Sequence, residues 1–381
     1  MSTKICVVGG GSGGTIVANR LAEKLRLELE SGEAEIIVLN DKPEQIYKPA
    51  TLYMAFGRSE LSEVKRPVED LLDPRVDFRQ KKAVSIDPES KQLGLESGET
   101  CNYDYAVLTT GSKLDMSGVP GLEEAGHHFY GPDGSEELRE ELANFESGHL
   151  VVSVMGVPHM CPVAPMEFSF LADDWFRTRG LRDEVKITYT YPLNDIFGLD
   201  PIADWARPLM KERDINIETF FNPEEVDSSE KVIHTVEGTE MEFDLLVAIP
   251  PHEGAELVKS ADLGDGEWIE TDKHTLEATR VEDVYAIGDA ADVPTSKAGS
   301  VAHYESGVVA DRIASHARGK TPSARYDGKT VCFIDGVDGD KATFIQFKYG
   351  EEPDLPEESK LIHWAKHSYN EAYWLTAKGL L

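Results

Sequence analysis

Residues 7–14 read VVGGGSGG and form a glycine-rich turn close to the start of the chain. The apolar run Ile5–Val8 before this turn predicts a strand, and the run Thr15–Leu29 after it predicts a helix. A further apolar run, Glu35–Leu39, predicts the next strand and completes a strand–helix–strand unit. The glycines match the spacing G-x-G-x-x-G, which between a strand and a helix is typical of a dinucleotide-binding turn.

Three glycines of this turn have separate physical tasks. Gly9 permits the tight turn, Gly11 lets the backbone approach a diphosphate, and Gly14 lets the helix pack on the strand. The diphosphate is expected at the helix N-terminus, against its free N–H groups. After the second strand, where an acidic side chain commonly binds the ribose, either Asn40 or Asp41 can accept a hydrogen bond from the ribose hydroxyls. The predicted dinucleotide-binding residues here are Gly9, Gly11, Ser12, Gly13, Gly14, Asn40 and Asp41.

The chain is strongly acidic. Its 381 residues include 70 acidic and 38 basic side chains, which gives a formal net charge of −32. A surface of this sign repels nucleic acid, so we expect no nucleic-acid partner. The acids are dispersed along the chain, a pattern typical of proteins from salt-loving organisms; an ordinary acidic cytosolic enzyme is the alternative.

The sequence also limits the compartment and the use of cysteine. Met1 leads almost directly into the first strand, so we expect no secretory signal. No run of about 18 or more apolar residues predicts a membrane-spanning helix. The four cysteines, at positions 6, 101, 161 and 332, lack C-x-x-C spacing, which excludes a zinc site built on cysteine pairs. We therefore predict no metal site and expect Cys6 and Cys101 to be core residues.

Two further segments identify the dinucleotide. Residues 103–111, YDYAVLTTG, resemble the Ala-Thr-Gly turn of the large FAD/NAD-linked reductase superfamily. Residues 284–291, VYAIGDAA, resemble the second flavin motif of that superfamily, in which the aspartate binds the ribityl chain. The resemblance implies non-covalent FAD, and it adds to the cofactor-binding set Thr110, Gly111, Gly288, Asp289, Lys297 and Gly299. Lys297 is expected near the flavin's pyrimidine edge, with a solvated surface lysine as the alternative.

The resemblance implies an α/β fold with two Rossmann-like dinucleotide-binding-type domains, as in glutathione reductase, and a small C-terminal appendage. We predict an FAD domain from residues 1–117 and 275–325, a nicotinamide-type domain over residues 118–274, and a C-terminal hairpin and helix over residues 326–381. The second domain has Val152–Pro162 where ordinary members carry another G-x-G-x-x-G. One glycine remains in this turn, so we expect no nicotinamide binding.

At two cysteines the sequence resembles the sulfide:quinone oxidoreductase and flavocytochrome c sulfide dehydrogenase family. Residues 160–168, MCPVAPMEF, are similar to its Cys-x-x-Pro-x-x-Glu stretch, and residues 329–336, KTVCFIDG, to its second redox-cysteine strand. The resemblance implies that Cys161 and Cys332 form a redox pair beside the flavin and oxidise sulfide through a persulfide. Glu167 is then a candidate proton acceptor or a helix-face carboxylate, and Cys161 near a helix N-terminus is expected to have a low pKa.

Departures from the family narrow the subtype. No cysteine occurs between positions 40 and 60, so a covalent flavin thioether is excluded. The third cysteine that many sulfide:quinone reductases carry after the Thr-Gly turn is replaced by the sequence HHFY at residues 127–130. The chain therefore resembles a two-cysteine quinone reductase.

The C-terminal segment reverses the charge of the chain. From residue 360 onward it has three lysines (360, 366 and 378) and one acid, Glu371, together with Trp and Tyr on a predicted helix. This composition suits a membrane interface, where the helix can draw quinone from lipid; docking on the flavin domain or on another subunit is the alternative. The family's geometry implies quinone contacts at Val331, Tyr369 and Tyr373.

The resulting prediction is FAD-dependent oxidation of sulfide, with electrons passed to membrane quinone at the cytoplasmic face. Two alternatives stay open. One is a different flavin and disulfide oxidoreductase, of the persulfide or NAD(P)H dehydrogenase type, with a soluble acceptor. The other is a non-catalytic flavin-bearing sulfur-carrier partner. A homo-oligomer is compatible with either.

Overall fold

The structure is a computed structural model that describes residues 2–337 and 339–380. Its strands are β1 Thr3–Val8, β2 Ala34–Asn40, β3 Glu44–Ile46, β4 Lys65–Pro67, β5 Asp77–Gln80, β6 Ala83–Asp87, β7 Gln92–Leu95, β8 Thr100–Asn102, β9 Tyr105–Leu108, β10 Ser112–Leu114, β11 Gly126–His127, β12 Gly148–Val154, β13 Val185–Thr190, β14 Ile215–Glu218, β15 Pro223–Asp227, β16 Val232–Thr235, β17 Glu240–Glu242, β18 Leu245–Ile249, β19 His252–Gly254, β20 Ile269–Glu270, β21 Val284–Ala286, β22 Ala291–Asp292, β23 Thr330–Ile334 and β24 Thr343–Phe347.

The helices connect and cover these strands. They are α1 Ser12–Lys24, α2 Arg26–Glu30, α3 Lys48–Ala55, α4 Leu61–Val64, α5 Val68–Leu71, α6 Leu122–Ala125, α7 Pro132–Asn144, α8 Ala164–Thr178, α9 Asp200–Glu212, α10 Glu256–Ser260, α11 Gly299–Ala317 and α12 Lys360–Ala377. Short 3-10 turns occupy Met116–Gly118, Arg182–Glu184 and Gly288–Ala290.

The first parallel sheet has the strand order β21-β9-β1-β2-β5. Residues Ile5 to Val8 of its central strand are buried, because a parallel strand is covered by other elements on both faces. The carboxyl ends of β1, β9 and β21 lie at one edge of this sheet. That edge therefore brings the three FAD motifs of the sequence together.

The second parallel sheet has the order β11-β18-β12-β13-β14 and draws its strands from residues 126–249. Together the two sheets confirm the predicted α/β fold with two Rossmann-like layers. The division of the chain at residues 117, 274 and 325 stays a proposal.

The predicted helix over residues 15–29 is interrupted. Leu25 has φ −100° and ψ 24°, outside helical values, and separates α1 from α2. Its side chain is fully buried in the core, and hydrogen bonds from its N–H to Leu21 and from the Leu29 N–H to its carbonyl keep the two helices in line.

The C-terminal appendage is closely attached to both halves. The antiparallel hairpin of β23 and β24 carries Cys332. The final helix, α12, contacts α1 through a hydrogen bond of 2.8 Å from Asn19 Nδ2 to the Ala377 carbonyl. It reaches α8 through an ion pair between Lys366 and Glu167. Among the described residues, no helix combines the length and the hydropathy required to span a bilayer.

Candidate active site

The glycine turn is built as tightly as its spacing predicts. Gly9 has φ +111°, a region that side chains rarely adopt. A Cβ on Gly14 would lie 1.8 Å from the Gly9 carbonyl oxygen, so only glycine fits where α1 crosses β1. A Cβ on Gly11, by contrast, would meet no atom within 4 Å. The turn therefore leaves open space at Gly11, where a diphosphate must approach the backbone.

The end of the second strand supports this turn. The Asn40 side chain accepts a hydrogen bond of 2.8 Å from the Gly10 N–H and donates one of 2.7 Å to the Lys42 carbonyl. Asn40 thereby fixes the glycine turn, while the neighbouring Asp41 is exposed. Of the two predicted ribose contacts, Asp41 has the free carboxylate.

The other two FAD motifs meet directly. Ser112, just after the Thr-Gly turn, donates a hydrogen bond of 2.9 Å to the Asp289 carboxylate. The Thr110 hydroxyl is buried and has no hydrogen-bond partner among the described residues. A buried polar atom without a partner is rare in a folded protein and is satisfied when a polar ligand is present. The site therefore offers polar groups to a ligand along the edge of the first sheet.

Lys297 is held by the protein rather than by solvent. Its ammonium group donates a hydrogen bond of 2.6 Å to the Asp289 carbonyl and lies 3.6 Å from the centre of the Trp268 ring. Burial lowers the pKa of Lys297 to about 8. The alternative of a solvated surface lysine is wrong.

These features fit FAD. The space at Gly11, the unpartnered Thr110 hydroxyl and the N-terminus of α1 suit a diphosphate and its sugars. Gly288, Asp289 and Gly299 lie at the carboxyl end of β21 and the start of α11, where a ribityl chain and a flavin ring would follow. Residues at the carboxyl-end edge of the first sheet would hold the cofactor without a covalent bond.

The turn after β12 is different from the turn after β1. Between Val154 and the first residue of α8, Ala164, nine residues intervene, whereas three separate β1 from α1. Within this longer turn Met160 pairs with Lys297 of the flavin half. The turn is therefore used to join the two halves, which supports the expectation that it holds no nicotinamide diphosphate.

Both predicted redox cysteines contact the segment 296–300, which leads into α11. The Cys161 N–H donates a hydrogen bond of 2.7 Å to the Lys297 carbonyl. The Cys332 thiol is hydrogen-bonded with Ser296. Cys161 is partly buried against the apolar cluster that contains Cys332, and its φ of +47° is an unusual, strained value for a residue other than glycine. The fold thus brings together two cysteines that are 171 positions apart in the sequence.

The expected low pKa of Cys161 is wrong. Burial raises the pKa of this thiol, and the negative charges of Cys332 and Glu167 raise it further. Burial likewise raises the pKa of the Cys332 thiol to about 12. Desolvation of a thiolate outweighs the dipole of α8, which begins only at Ala164. Both free thiols are therefore neutral at pH 7.

Glu167 lies in a buried polar network beside the cysteines. Its carboxylate accepts hydrogen bonds from the Lys366 ammonium group and, at 3.2 Å, from the Tyr53 hydroxyl. Desolvation raises the pKa of Glu167, and the charge of Lys366 opposes this rise. Glu167 is only 3% exposed, so it is not a solvated helix-face carboxylate.

A second buried carboxylate, Asp335, continues the network away from the cysteines. It accepts hydrogen bonds of 2.8 Å from the Tyr53 hydroxyl, 2.7 Å from His363 Nδ1 and 3.2 Å from His367 Nε2. Desolvation raises its pKa, but the hydrogen bond from His367, the charge of Lys366 and the hydrogen bond from His363 together hold the pKa well below its usual range. Sequence reasoning missed this cluster, although the H-x-x-x-H spacing at 363 and 367 was a usable signal.

The predicted quinone contacts have separate positions. The Tyr373 hydroxyl is buried and hydrogen-bonded, at 2.5 Å each, to Ser12 Oγ of the glycine turn and to Gln45 Nε2. It therefore supports the glycine turn, and its contact with quinone stays a prediction. Tyr369 is 40% exposed, and the Val331 N–H donates a bond of 3.4 Å to Ser300 Oγ.

Comparisons with known proteins agree with this architecture. The family model described as pyridine nucleotide-disulphide oxidoreductase matches residues 3–308. A mitochondrial sulfide:quinone oxidoreductase of Dictyostelium discoideum is 26% identical over 390 residues, which cover 98% of this chain and 85% of the relative. The mitochondrial sulfide:quinone oxidoreductase of Mus musculus is 25% identical over 365 residues, covering 92% of this chain and 79% of the relative.

A solved structure shows the same fold over nearly the whole chain. The X-ray structure of the sulfide:quinone oxidoreductase from Aquifex aeolicus matches with a TM-score of 0.87 at 21% identity, covering 99% of this chain and 92% of that one. The matched proteins are FAD-binding oxidoreductases, in agreement with the cofactor that the site fits. The chain therefore belongs to the pyridine nucleotide-disulphide oxidoreductase family and is an FAD-dependent oxidoreductase.

Proposed function

We propose that this protein oxidises sulfide to sulfur or polysulfide through Cys161 and Cys332 and passes the electrons to membrane quinone. The observation that carries the proposal is that both cysteines contact segment 296–300, a few residues after Asp289. The relatives named sulfide:quinone oxidoreductase, which align with almost the full chain, support the same reaction.

The reaction begins from a disulfide between the two cysteines. Hydrosulfide attacks one sulfur, the S–S bond breaks, the attacked cysteine becomes a persulfide, and the other cysteine leaves as a thiolate. A second hydrosulfide removes the outer sulfur as polysulfide and leaves that cysteine as a thiolate. The two thiolates then lose two electrons and re-form the disulfide. Each hydrosulfide that becomes sulfane sulfur loses two electrons and one proton, and quinone takes up two electrons and two protons to form quinol. FAD, when bound, supplies the two-electron acceptor between the cysteines and the quinone.

Glu167 is the proposed acceptor for the sulfide proton. Its pKa is raised by desolvation, which makes a buried carboxylate a better base. Lys366 and Tyr53 hold its oxygen by hydrogen bonds, so the carboxylate is oriented before substrate arrives. His159, two residues before Cys161, is also buried, and burial lowers its pKa to about 4. A neutral imidazole of such low pKa is the poorer base.

The outward side of α12 supports contact with a membrane. Leu361, Trp364 and Leu375 are 79%, 64% and 49% exposed, an apolar and aromatic surface suited to a lipid interface. Lys366, one of the lysines expected to face lipid, is instead buried against Glu167. Quinone drawn from the membrane would meet Tyr369 and Val331 first. The cytoplasmic face and a possible homo-oligomer stay predictions.

Trapping the sulfur on cysteine tests the chemistry. The protein is incubated anaerobically with one equivalent of sulfide, alkylated, and measured by intact and peptide mass spectrometry. We expect a Cys161–Cys332 disulfide before sulfide, and one added sulfur atom on one of these cysteines after it. Cys101→Ser, which changes a buried cysteine of the other half, is the matched control and should behave as wild type. An added sulfur on Cys101, or none on either redox cysteine, would refute the proposed pair.

The acceptor is tested at the surface of α12 and not by deleting the helix, because deletion would also uncover Glu167 and the glycine turn. In Leu361→Ser/Trp364→Ser we expect binding to lipid vesicles, and reduction of quinone held in them, to fall at least about tenfold, because apolar area is lost from the contact. Sulfide-dependent reduction of a water-soluble quinone analogue should be unchanged. If the variant reduced the vesicle-held quinone as fast as the wild-type protein does, that result would contradict delivery of quinone from the membrane.

A further inference from the structure

The carboxylate of Asp335 and two histidines of α12 converge at one point outside the sulfur site. Asp335 directly follows β23, the strand that carries Cys332, and His363 and His367 are one helical turn apart on α12. The ligand atoms of the three side chains all lie within 4.8 Å of one another. The two histidines approach different oxygens of the carboxylate, at 2.7 Å and 3.2 Å.

The charge of Asp335 requires compensation. The residue is 1% exposed, and its hydrogen-bond partners in the described part of the chain are Tyr53, His363 and His367, none of which has a fixed positive charge. The charge of the nearby Lys366 acts on Asp335, but its ammonium group is hydrogen-bonded to Glu167, so among the described residues no fixed cation contacts the Asp335 carboxylate directly. Buried carboxylates are paired with cations or coordinate metals, because an isolated buried charge is very costly. Either a protonated histidine or a metal ion therefore completes this cluster.

We propose that Asp335, His363 and His367 form a binding site for a divalent transition metal of the zinc type. Two imidazole nitrogens and one carboxylate oxygen are the donors that Zn²⁺ takes in three-ligand sites, and histidines at i and i+4 of a helix present both nitrogens to one ion. Tetrahedral zinc separates its ligand atoms by roughly 3.3 Å. The two separations between Asp335 oxygens and histidine nitrogens, 2.7 Å and 3.2 Å, are close to this value.

The surroundings agree with such a site. The His367 side chain is 36% exposed, which gives the ion a route of entry and leaves a coordination position for water. Tyr53 donates its hydroxyl to the Asp335 carboxylate and so orients the ligand, as partners of metal ligands commonly do. The metal would fasten α12 to the hairpin that carries Cys332. The inference does not depend on the sulfur chemistry proposed above.

Metal binding is measured on the flavin-loaded protein after treatment with EDTA and gel filtration. The Cys161→Ser/Cys332→Ser background is used, because free thiols also bind zinc. We expect titration calorimetry to show one Zn²⁺ per chain, and Co²⁺ to give the visible absorption of a tetrahedral site without the near-ultraviolet band of thiolate ligands. Zinc should also raise the Tm of this protein.

Matched variants locate the site. His363→Gln and Asp335→Asn in the same background should weaken Zn²⁺ binding at least about tenfold, because each removes one of three ligands. His234→Gln, at a histidine in β16 of the other half, should bind Zn²⁺ unchanged. The proposal would be overturned if zinc and cobalt bound with equal affinity to all these proteins, or if neither bound to the Cys161→Ser/Cys332→Ser parent protein. The compensating charge would then belong to a protonated histidine. The cobalt spectrum of the parent protein decides the question even if a variant does not fold.

Discussion

Replacing Lys366 by Met leaves Glu167 buried without its positive partner. Both residues are nearly inaccessible, at 6% and 3% exposure, and their ion pair joins α12 to α8. The methionine retains most of the volume of the lysine side chain, so packing changes little. The change therefore removes the ion-pair partner of a buried carboxylate, a loss that reaches about 3–5 kcal/mol.

Protonation of Glu167 limits this cost and makes it depend on pH. A carboxyl group with an ordinary pKa of about 4.3 takes about 3.7 kcal/mol to protonate at pH 7, but only about 1.6 kcal/mol at pH 5.5. In the variant, the pKa of Glu167 in the folded state lies above its unfolded value. The unfolded state therefore binds fewer protons, and the loss of stability grows as the pH rises from about 4.3 towards the folded pKa.

The assay is urea unfolding at pH 5.5 and pH 7.0 in EDTA, with the free energy of unfolding compared between proteins. Lys366→Met should lose about 3 kcal/mol at pH 7 and about half of that at pH 5.5. The double variant Glu167→Met/Lys366→Met should lie within about 1 kcal/mol of wild type, because both charges are removed together. An equal loss at the two pH values, or a double variant as unstable as the single one, would refute the ion-pair reasoning.

Three further predictions follow from other parts of the fold. Burial lowers the pKa values of His159 and His252 to about 4, and their unfolded forms protonate near pH 6.5, so stability should fall as the pH drops through this window. Each histidine removes up to about 3 kcal/mol by pH 4, and His159→Gln should reduce the stability lost between pH 6.5 and pH 4 by up to this amount in urea unfolding. Asp173 is fully buried and accepts a hydrogen bond of 2.5 Å from Arg182; urea unfolding of Asp173→Asn should show a loss of about 3–5 kcal/mol, and a loss below 1 kcal/mol would show that this network contributes little. Gly11→Ala places a methyl group in open space, so the Tm of the FAD-free protein should not change. The purified variant should retain much less FAD, measured by absorbance, because the methyl group occupies the space of the diphosphate. A normal FAD content would contradict the assigned position of the diphosphate.

Local sequence patterns predicted the central elements, because the strands of parallel sheets are continuous apolar runs with glycine turns at their ends. The strands predicted at Ile5–Val8 and Glu35–Leu39 lie within β1 and β2, which extend them by one or two residues at their ends. The small antiparallel groups β6–β8 and β15–β17 were missed. Their strands are only three to five residues long and interrupt apolar residues with polar ones, so they carry no apolar run to detect.

Only those residues of the site that lie in sequence motifs were predicted. The roles of Lys366 and Tyr373 depend on α12 folding back over α8 and the glycine turn, contacts between residues about 200 and 360 positions apart. No local pattern encodes such contacts. The prediction of a low pKa for Cys161 was wrong for a related reason. A helix N-terminus can be recognised in the sequence, but the burial that outweighs its dipole arises only in the assembled fold.

The central claim is that Cys161 and Cys332 carry electrons from sulfide to FAD, and one measurement tests it directly. Sulfide, and separately NADH, is added anaerobically to the purified yellow protein while the visible absorbance of the flavin is followed. We predict bleaching by sulfide, its loss in Cys161→Ser and in Cys332→Ser, and recovery of the absorbance on adding a quinone analogue. Bleaching by NADH alone would contradict the account, because it would show that the turn after β12 still serves a nicotinamide donor.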